Sequence, residues 1–248
     1  MEVKISPQQK RKWKDQQRRR TDILEAVERL GKSGSFESFD KLNLEEIASE
    51  AGLTKPTIYR YFFSKDDLLT GFAAYSYRKL NQFMSDQLKS HKNEDISSRL
   101  NAISIAYFHF AQSNLGFFKI LNIYGKQNRY LNILQKIPQK YEDFSDLQGL
   151  MDCGMSQSEI EYKIAWDEFR ETLAQVFKED ELSMTKLKSI IGKKDIETKD
   201  FVEILALVIN GVITEIGNRN RVLQNRGFSE EDILNIVMHL IGNGLQSQ

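Results

Sequence analysis

The chain has 248 residues, enough for a sizeable core, and its 35 basic and 35 acidic side chains cancel to a formal net charge of zero. A hydrophobic fraction of 40% and a charged fraction of 28% suit a soluble globular protein, and the single cysteine, Cys153, excludes an internal disulfide framework. No apolar run approaches the roughly 20 residues that span a bilayer, and no apolar signal core follows the charged N-terminus, so a cytoplasmic protein without a membrane partner is expected.

Only three prolines occur and strand-like alternation is nowhere sustained, so the chain reads as all-α. The charge is unevenly placed: Lys4, Lys10, Arg11, Lys12, Lys14, Arg18, Arg19 and Arg20 face only Glu2 and Asp15 in the first twenty residues. Such an arm can be a solvated tail or can reach phosphates and add salt-dependent affinity. A first helix is predicted over residues 10 to 32, with Ile23, Leu24, Val27 and Leu30 as its inner stripe.

Asn43 to Phe63, NLEEIASEAGLTKPTIYRYFF, reads as two short helices joined by a tight turn. Asn43 is an N-cap with Glu46 in the capping-box position, and Leu44, Ile47, Ala48 and Ala51 recur at helical spacing until Gly52 ends the helix. Leu53 returns to the core and Thr54 caps a second helix. Pro56 falls in its first turn, where a missing N–H costs nothing. Ile58 and Phe62 share the inner face, leaving Lys55, Thr57, Tyr59, Arg60 and Tyr61 as hydrogen-bond donors on the others. A donor-rich helix propped across a glycine turn has the shape that enters a DNA major groove.

The stretch resembles the helix-turn-helix of the TetR family of bacterial transcriptional regulators. The matching residues are Ile47-Ala48, Ala51-Gly52-Leu53, Thr54-Lys55-Pro56-Thr57, Tyr59, Tyr61-Phe62 and Ser64-Lys65-Asp66-Asp67-Leu68. The connection from Gly31 to Leu42 departs from the family in being longer, and in lacking an aromatic near Gly31, a place for which Phe36 and Phe39 are the candidates. The resemblance implies that Lys55, Pro56 and Thr57 read base edges and that Tyr59, Tyr61 and Lys65 grip phosphates. The chemistry suits these roles, since lysine donates to guanine, the Pro56 ring and Thr57 methyl can touch a thymine methyl, and hydroxyls and amines suit phosphate oxygens. Arg60 can serve either role, and Asn43 and Thr54 complete the expected interface. Glu45 stands where some family members carry a base-reading arginine; it can accept from cytosine N4, repel phosphate or simply be solvated.

Ser64 and Asp67 form a capping pair opening a long helix to about Ser90, with Leu68, Leu69, Phe72, Tyr75, Leu80 and Phe83 as its apolar positions. Helical periodicity continues over Ile96 to Ala111 and Leu115 to Tyr124, then breaks into shorter pieces punctuated by Gly125, Pro138 and Gly149. Ser156 and Glu159 open a further helix to about Lys178, with Ile160, Ile164, Phe169, Leu173 and Phe177 on its apolar side. Two last helices follow, one lined by Phe201, Leu205, Val208, Val212 and Ile216, the other by Ile233, Val237, Leu240, Ile241 and Leu245. Gly211, Gly242 and Gly244 lie among them, and helix-interior glycine, costing roughly 1 kcal/mol, suggests close approach of another helix. The resemblance implies that this pair, residues about 200 to 246, forms a four-helix bundle with a second copy of the chain; the alternative is an intrachain core.

An aromatic set, Tyr107, Phe108, Phe110, Phe117, Phe118 and Tyr124, joined by Trp166 and Phe169, reads first as core. The resemblance implies an inducer site in this region. That makes Tyr107, Phe108, His109, Phe117, Phe118, Tyr124, Trp166 and Phe169 candidates for an unknown small apolar or aromatic ligand. His91, His109 and His239 have no metal-ligand partner at helical spacing, and no nucleotide, hydrolase or zinc-protease motif occurs, so neither catalysis nor a cofactor is expected. His109 is expected in the core or the pocket.

The expectation is an all-α protein with a three-helix DNA-binding domain over residues 1–66 and a larger ligand-binding and dimerisation domain over 67–248. As a homodimer it would repress from a pseudo-palindromic double-stranded operator until a small ligand releases it. The rival reading is a DNA-bound adaptor of the same fold controlled by a protein partner, with a helical enzyme as the remaining class.

Overall fold

The computed structural model describes residues 6–33, 42–114 and 154–177 continuously, with further single positions between 117 and 236. The continuous stretches hold α1 (Pro7–Lys32), α2 (Leu44–Glu50), α3 (Lys55–Tyr61), α4 (Lys65–Ser90), α5 (Ile96–Ser113) and α6 (Gln157–Ala174), closed by a 3-10 turn at Gln175–Phe177. The protein is all-α, with no strand among the described residues.

Helix α1 starts three residues earlier than expected because Pro7 opens it, proline's fixed φ and missing N–H both being compatible with a first helical position. The basic arm is therefore the first turns of a helix, with Arg11, Lys12, Lys14, Arg18 and Arg19 exposed along it. Ile23, Leu24 and Val27 are buried against α2 and α3, with Leu30 half-buried beside them.

At α2, the Asn43 carboxamide accepts from the Glu45 N–H at 2.9 Å, so the cap reaches the second helical residue and not the expected Glu46. Gly52 takes φ +66°, and the N–H groups of Gly52 and Leu53 return to the carbonyls of Ser49 (3.0 Å) and Ala48 (2.7 Å). This paired closure needs a left-handed residue at Gly52, which glycine adopts without a Cβ penalty. Thr54 stands at the N-cap of α3 without capping it, its hydroxyl bonding to that of Thr57 at 2.9 Å. Pro56 explains this, because it occupies one of the two positions whose N–H an N-cap side chain normally receives.

Helix α4 opens as expected, Ser64 Oγ accepting from the Asp67 N–H at 3.0 Å. Leu68, Leu69, Phe72 and Leu80 are buried as predicted and Tyr75 is half-buried, but Phe83 is 40% exposed. Tyr77 and Met84 are buried instead, because the inner stripe of the helix runs through 73, 77, 80 and 84 and leaves 83 one residue out of phase. Helix α6 carries the full capping box, Ser156 Oγ accepting from Glu159 N–H at 3.1 Å and the Glu159 carboxylate from Ser156 N–H at 2.9 Å. It lies along α4, and the buried Asn81 side chain of α4 donates to the Ala165 carbonyl at 3.0 Å.

Near the C-terminus the described positions between 202 and 215 are helical, with Val202, Leu205, Ala206 and Ile209 buried. Val208, expected on the same stripe as Leu205, is exposed, as is Ile204. Among the described residues, nothing lies within 4 Å of where a Cβ on Gly211 would stand. Phe201, Ile216, Gly242, Gly244, the five apolar positions of the last predicted helix, and the 34–41 connection with Phe36 and Phe39 lie outside the described residues.

Candidate nucleic-acid interface

Helices α1, α2 and α3 close around Ile23, Leu24, Val27, Leu44, Ile47, Ile58 and Phe62, all buried. Burying each such side chain is worth about 1.5–3 kcal/mol, so the inner face is committed and the rotation of α3 about its axis is settled. What remains outward is the predicted donor set. Lys55, Pro56, Tyr59 and Arg60 are exposed, while Thr57, Tyr61 and Lys65 are partly covered. Tyr61 is held more firmly than its neighbours, its ring packed against the core and its carbonyl accepting from Arg20.

Lys55 and Glu45 form an ion pair at 3.2 Å across the turn, both side chains well exposed. Glu45 is thus exposed but paired, its carboxylate holding the lysine that the family resemblance implies at the base edges. An exposed pair of this kind is worth at most about 1 kcal/mol, so either side chain can leave it at little cost. Asn43 is exposed with its carboxamide spent on the α2 cap, and Thr54 is exposed with its hydroxyl on Thr57.

Two exposed aromatic side chains escape sequence reasoning. Phe63, immediately after α3, is 80% exposed, and Trp13 is 61% exposed among the cations of α1, which adds aromatic surface beside the charged groups. Arg20, counted with the phosphate-reaching cations, is instead only 3% exposed, buried between α1, α3 and α6. Its spacing from Ile23, Leu24 and Val27 puts it on the inner stripe, a signal that was present in the sequence.

Residues 37–71 match the model of the bacterial regulatory proteins of the tetR family. The N-terminal domain belongs to the TetR family. No curated protein matches the chain in sequence. Among solved structures, the fatty acid degradation regulator FadR from Bacillus halodurans superimposes with a TM-score of 0.51 at 17% identity, covering 99% of this chain and 100% of that one. FadR from Bacillus subtilis in complex with stearoyl-CoA gives 0.51 at 14% identity over 90% and 98%. A Rhodococcus sp. protein assigned to the TetR-family transcriptional regulators gives 0.52 at 13% over 92% and 98%. At these identities the likeness establishes a shared fold.

Beyond that matched stretch the middle aromatic set divides. Tyr107, Phe117, Trp166 and Phe169 are buried and gather around Tyr77 of α4, which sequence reasoning passed over. The Tyr77 ring lies 5.3 Å from Phe117, 5.4 Å from Trp166 and 5.5 Å from Phe169, and Tyr107 lies 5.7 Å from Phe169. These edge-on and tilted contacts are those of packed aromatic rings. Burial pushes the Tyr107 hydroxyl far above the ordinary tyrosine range, so it stays neutral. Phe108 is also buried, while Phe118 and Tyr124 lie outside the described residues.

His109 is exposed, contrary to expectation, because Tyr107, Phe108 and Ala111 take the inner side of α5 and 109 turns outward between them. A recess between α1, α4 and α5, lined by Glu28, Tyr75, Lys79, Phe110 and Asn114 among others, holds about 10 Å³, a single water's worth. Among the described residues no cluster of His, Cys, Asp or Glu could hold a metal ion, and no helix is long and apolar enough to cross a membrane.

Proposed function

We propose that this chain is a homodimeric DNA-binding transcriptional repressor whose reading residues are Lys55, Pro56 and Thr57 and whose phosphate contacts are Tyr59, Tyr61 and Lys65, with Arg60 able to serve either role. The observation that carries it is the outward donor face of α3, a helix that α1 and α2 close against and that lies within the stretch, residues 37–71, matching the tetR-family model. Two such units on one two-fold axis would enter successive major grooves of a pseudo-palindromic operator. The self-association surface is the C-terminal pair of helices, residues about 200 to 246. Support comes from Ile204 and Val208, four apart on one helical face and both exposed.

The proposed control is a small apolar or aromatic ligand among α4, α5 and α6. The stearoyl-CoA in the Bacillus subtilis FadR structure makes acyl-CoA thioesters suitable first probes. The adaptor reading draws its own support from the aromatic cluster around Tyr77, where the described rings fill the space between the helices with one another. A thermal-shift screen of acyl-CoA and aromatic compounds separates the two. A hit that also weakens operator binding supports the ligand-controlled repressor, and stabilisation by none supports the adaptor.

DNA binding is tested by polarisation on duplexes selected from a random pool. Lys55→Ala is expected to relax base preference, at a cost of about 1–3 kcal/mol on the selected site. Tyr59→Phe and Lys65→Ala are expected to weaken binding nearly uniformly across sequences, and Lys65→Ala also to lower the salt slope by about one. Unchanged binding by all three variants would overturn the residue assignments.

A further inference from the structure

Arg20 of α1 and the first turns of α6 meet at the end of the reading helix, in a junction that DNA contact does not explain. The Arg20 guanidinium donates to the Tyr61 carbonyl at the last residue of α3, to Ser158 Oγ at 2.9 Å and to the Glu161 carboxylate at 3.1 Å. It also lies 4.2 Å over the Phe62 ring. Ser158 is completely buried, and the same Phe62 ring stands 2.8 Å from the position a Cβ on Gly71 would take, with Ser158 Oγ at 3.1 Å from it. Only a residue without a side chain allows α4, Phe62 and α6 to converge there.

A second contact lies one residue further along. The Ser156 hydroxyl, at the N-cap of α6, donates to Asp67 Oδ1 at 2.7 Å, while Asp67 Oδ2 accepts from the Phe63 N–H at 2.9 Å. The exit of α3, residues 61 to 63, is therefore gripped through Arg20 and Asp67 by groups on α6 that are 138 and 89 residues away in the chain.

We propose that this junction is a coupling latch: α6 sets the orientation of the reading helix directly, through Ser158 and Glu161 on Arg20 and Ser156 on Asp67. The latch holds α3 in the geometry that binds DNA, and a displacement of α6 along α4 releases it. Arg20 is suited to this because its planar fork serves a carbonyl, a hydroxyl and a carboxylate at once, and a guanidinium buried with partial pairing is costly. The proposal rests on the DNA-binding reading above.

The test uses the full chain with Ser158→Ala and Glu161→Gln, neither of which is on the DNA-reading face. Each is expected to weaken operator binding about tenfold, the scale of losing a hydrogen bond to a charged group, with the salt slope unchanged because no phosphate contact is lost. The Phe62 and Phe63 amides are expected to exchange faster with solvent in both variants while α4 retains its protection. Arg20→Lys, which keeps the charge and loses the fork, is expected to resemble them and to add little when combined with Glu161→Gln. Wild-type affinity together with unchanged Phe62 and Phe63 exchange would overturn the latch alone. Tighter DNA binding by the variants would also overturn it, because the junction would then restrain and not support the reading geometry. A wild-type chain that binds no selected duplex would overturn the DNA-binding reading itself, and the latch with it.

Discussion

Glu28, on the inner edge of α1, accepts from the Tyr75 hydroxyl at 2.9 Å, from Lys79 at 2.7 Å and from Lys32 at 3.0 Å. Burial by itself would raise its pKa, but the hydrogen bonds from Lys79, Lys32 and Tyr75 together outweigh it and hold the carboxyl below its ordinary value of 4.5. The same contacts raise the Tyr75 hydroxyl well above the tyrosine range, burial being the larger cause and the Glu28 carboxylate the next. Because the folded pKa is depressed, the unfolded chain binds the proton more readily. The stabilisation from Glu28 is thus fully present above about pH 4.5 and is lost as pH falls through the folded pKa. Urea unfolding of wild type and Glu28→Gln as a function of pH is expected to show a gap that is constant near neutrality and closes in acid. A gap independent of pH would mean that the carboxylate contributes by shape and not by charge.

At the scale of single residues the sequence is least reliable about charges. Lys55 and Glu45 are each legible as surface groups, yet their pairing across the turn depends on how α2 and α3 are set against one another. His109 carries no sign in its neighbours that it faces outward, since an apolar run on all sides hides the phase of the helix. Arg20 could have been placed by its spacing, but composition grouped it with the arm.

Among the elements, α2 to α4 are the most legible because their boundaries are local chemistry. Asn43, Gly52, Thr54, Pro56 and Ser64 each act within a few residues of themselves, and the observed helices begin and end at them. The box at Ser156 and Glu159 marks α6 for the same reason. How α6 meets α4 is a matter of packing, and Gly71 is where it becomes tightest. Gly71→Ala is expected to destabilise the fold by about 1–3 kcal/mol by chemical denaturation, because its methyl would enter the space of the fully buried Phe62 ring, which Arg20 covers from another side. An unchanged midpoint would show that the α4–α6 contact yields more than its geometry implies.

For the whole molecule, the exposed Ile204 and Val208 predict the consequence of charging the proposed association surface. The double variant Ile204→Glu, Val208→Glu is expected to sediment as a monomer and to lose at least tenfold in affinity for a palindromic duplex, since each half-site must then be bound separately. Monomeric wild type, or a variant that stays dimeric, would place the association surface elsewhere.

The sequence by itself determined the helical class, the caps and turn of the DNA-reading unit and the outward donors of α3, because these follow from backbone chemistry and a 3.6-residue period acting over a few residues. Only the tertiary structure decided that Tyr77 sits at the centre of the aromatic cluster and that Lys55 pairs with Glu45. It likewise decided that Arg20 is buried against Ser158 and Glu161. Contacts between groups 10, 41 or 138 residues apart depend on the relative placement of whole helices, and that placement is a property of the packed core and not of any one segment.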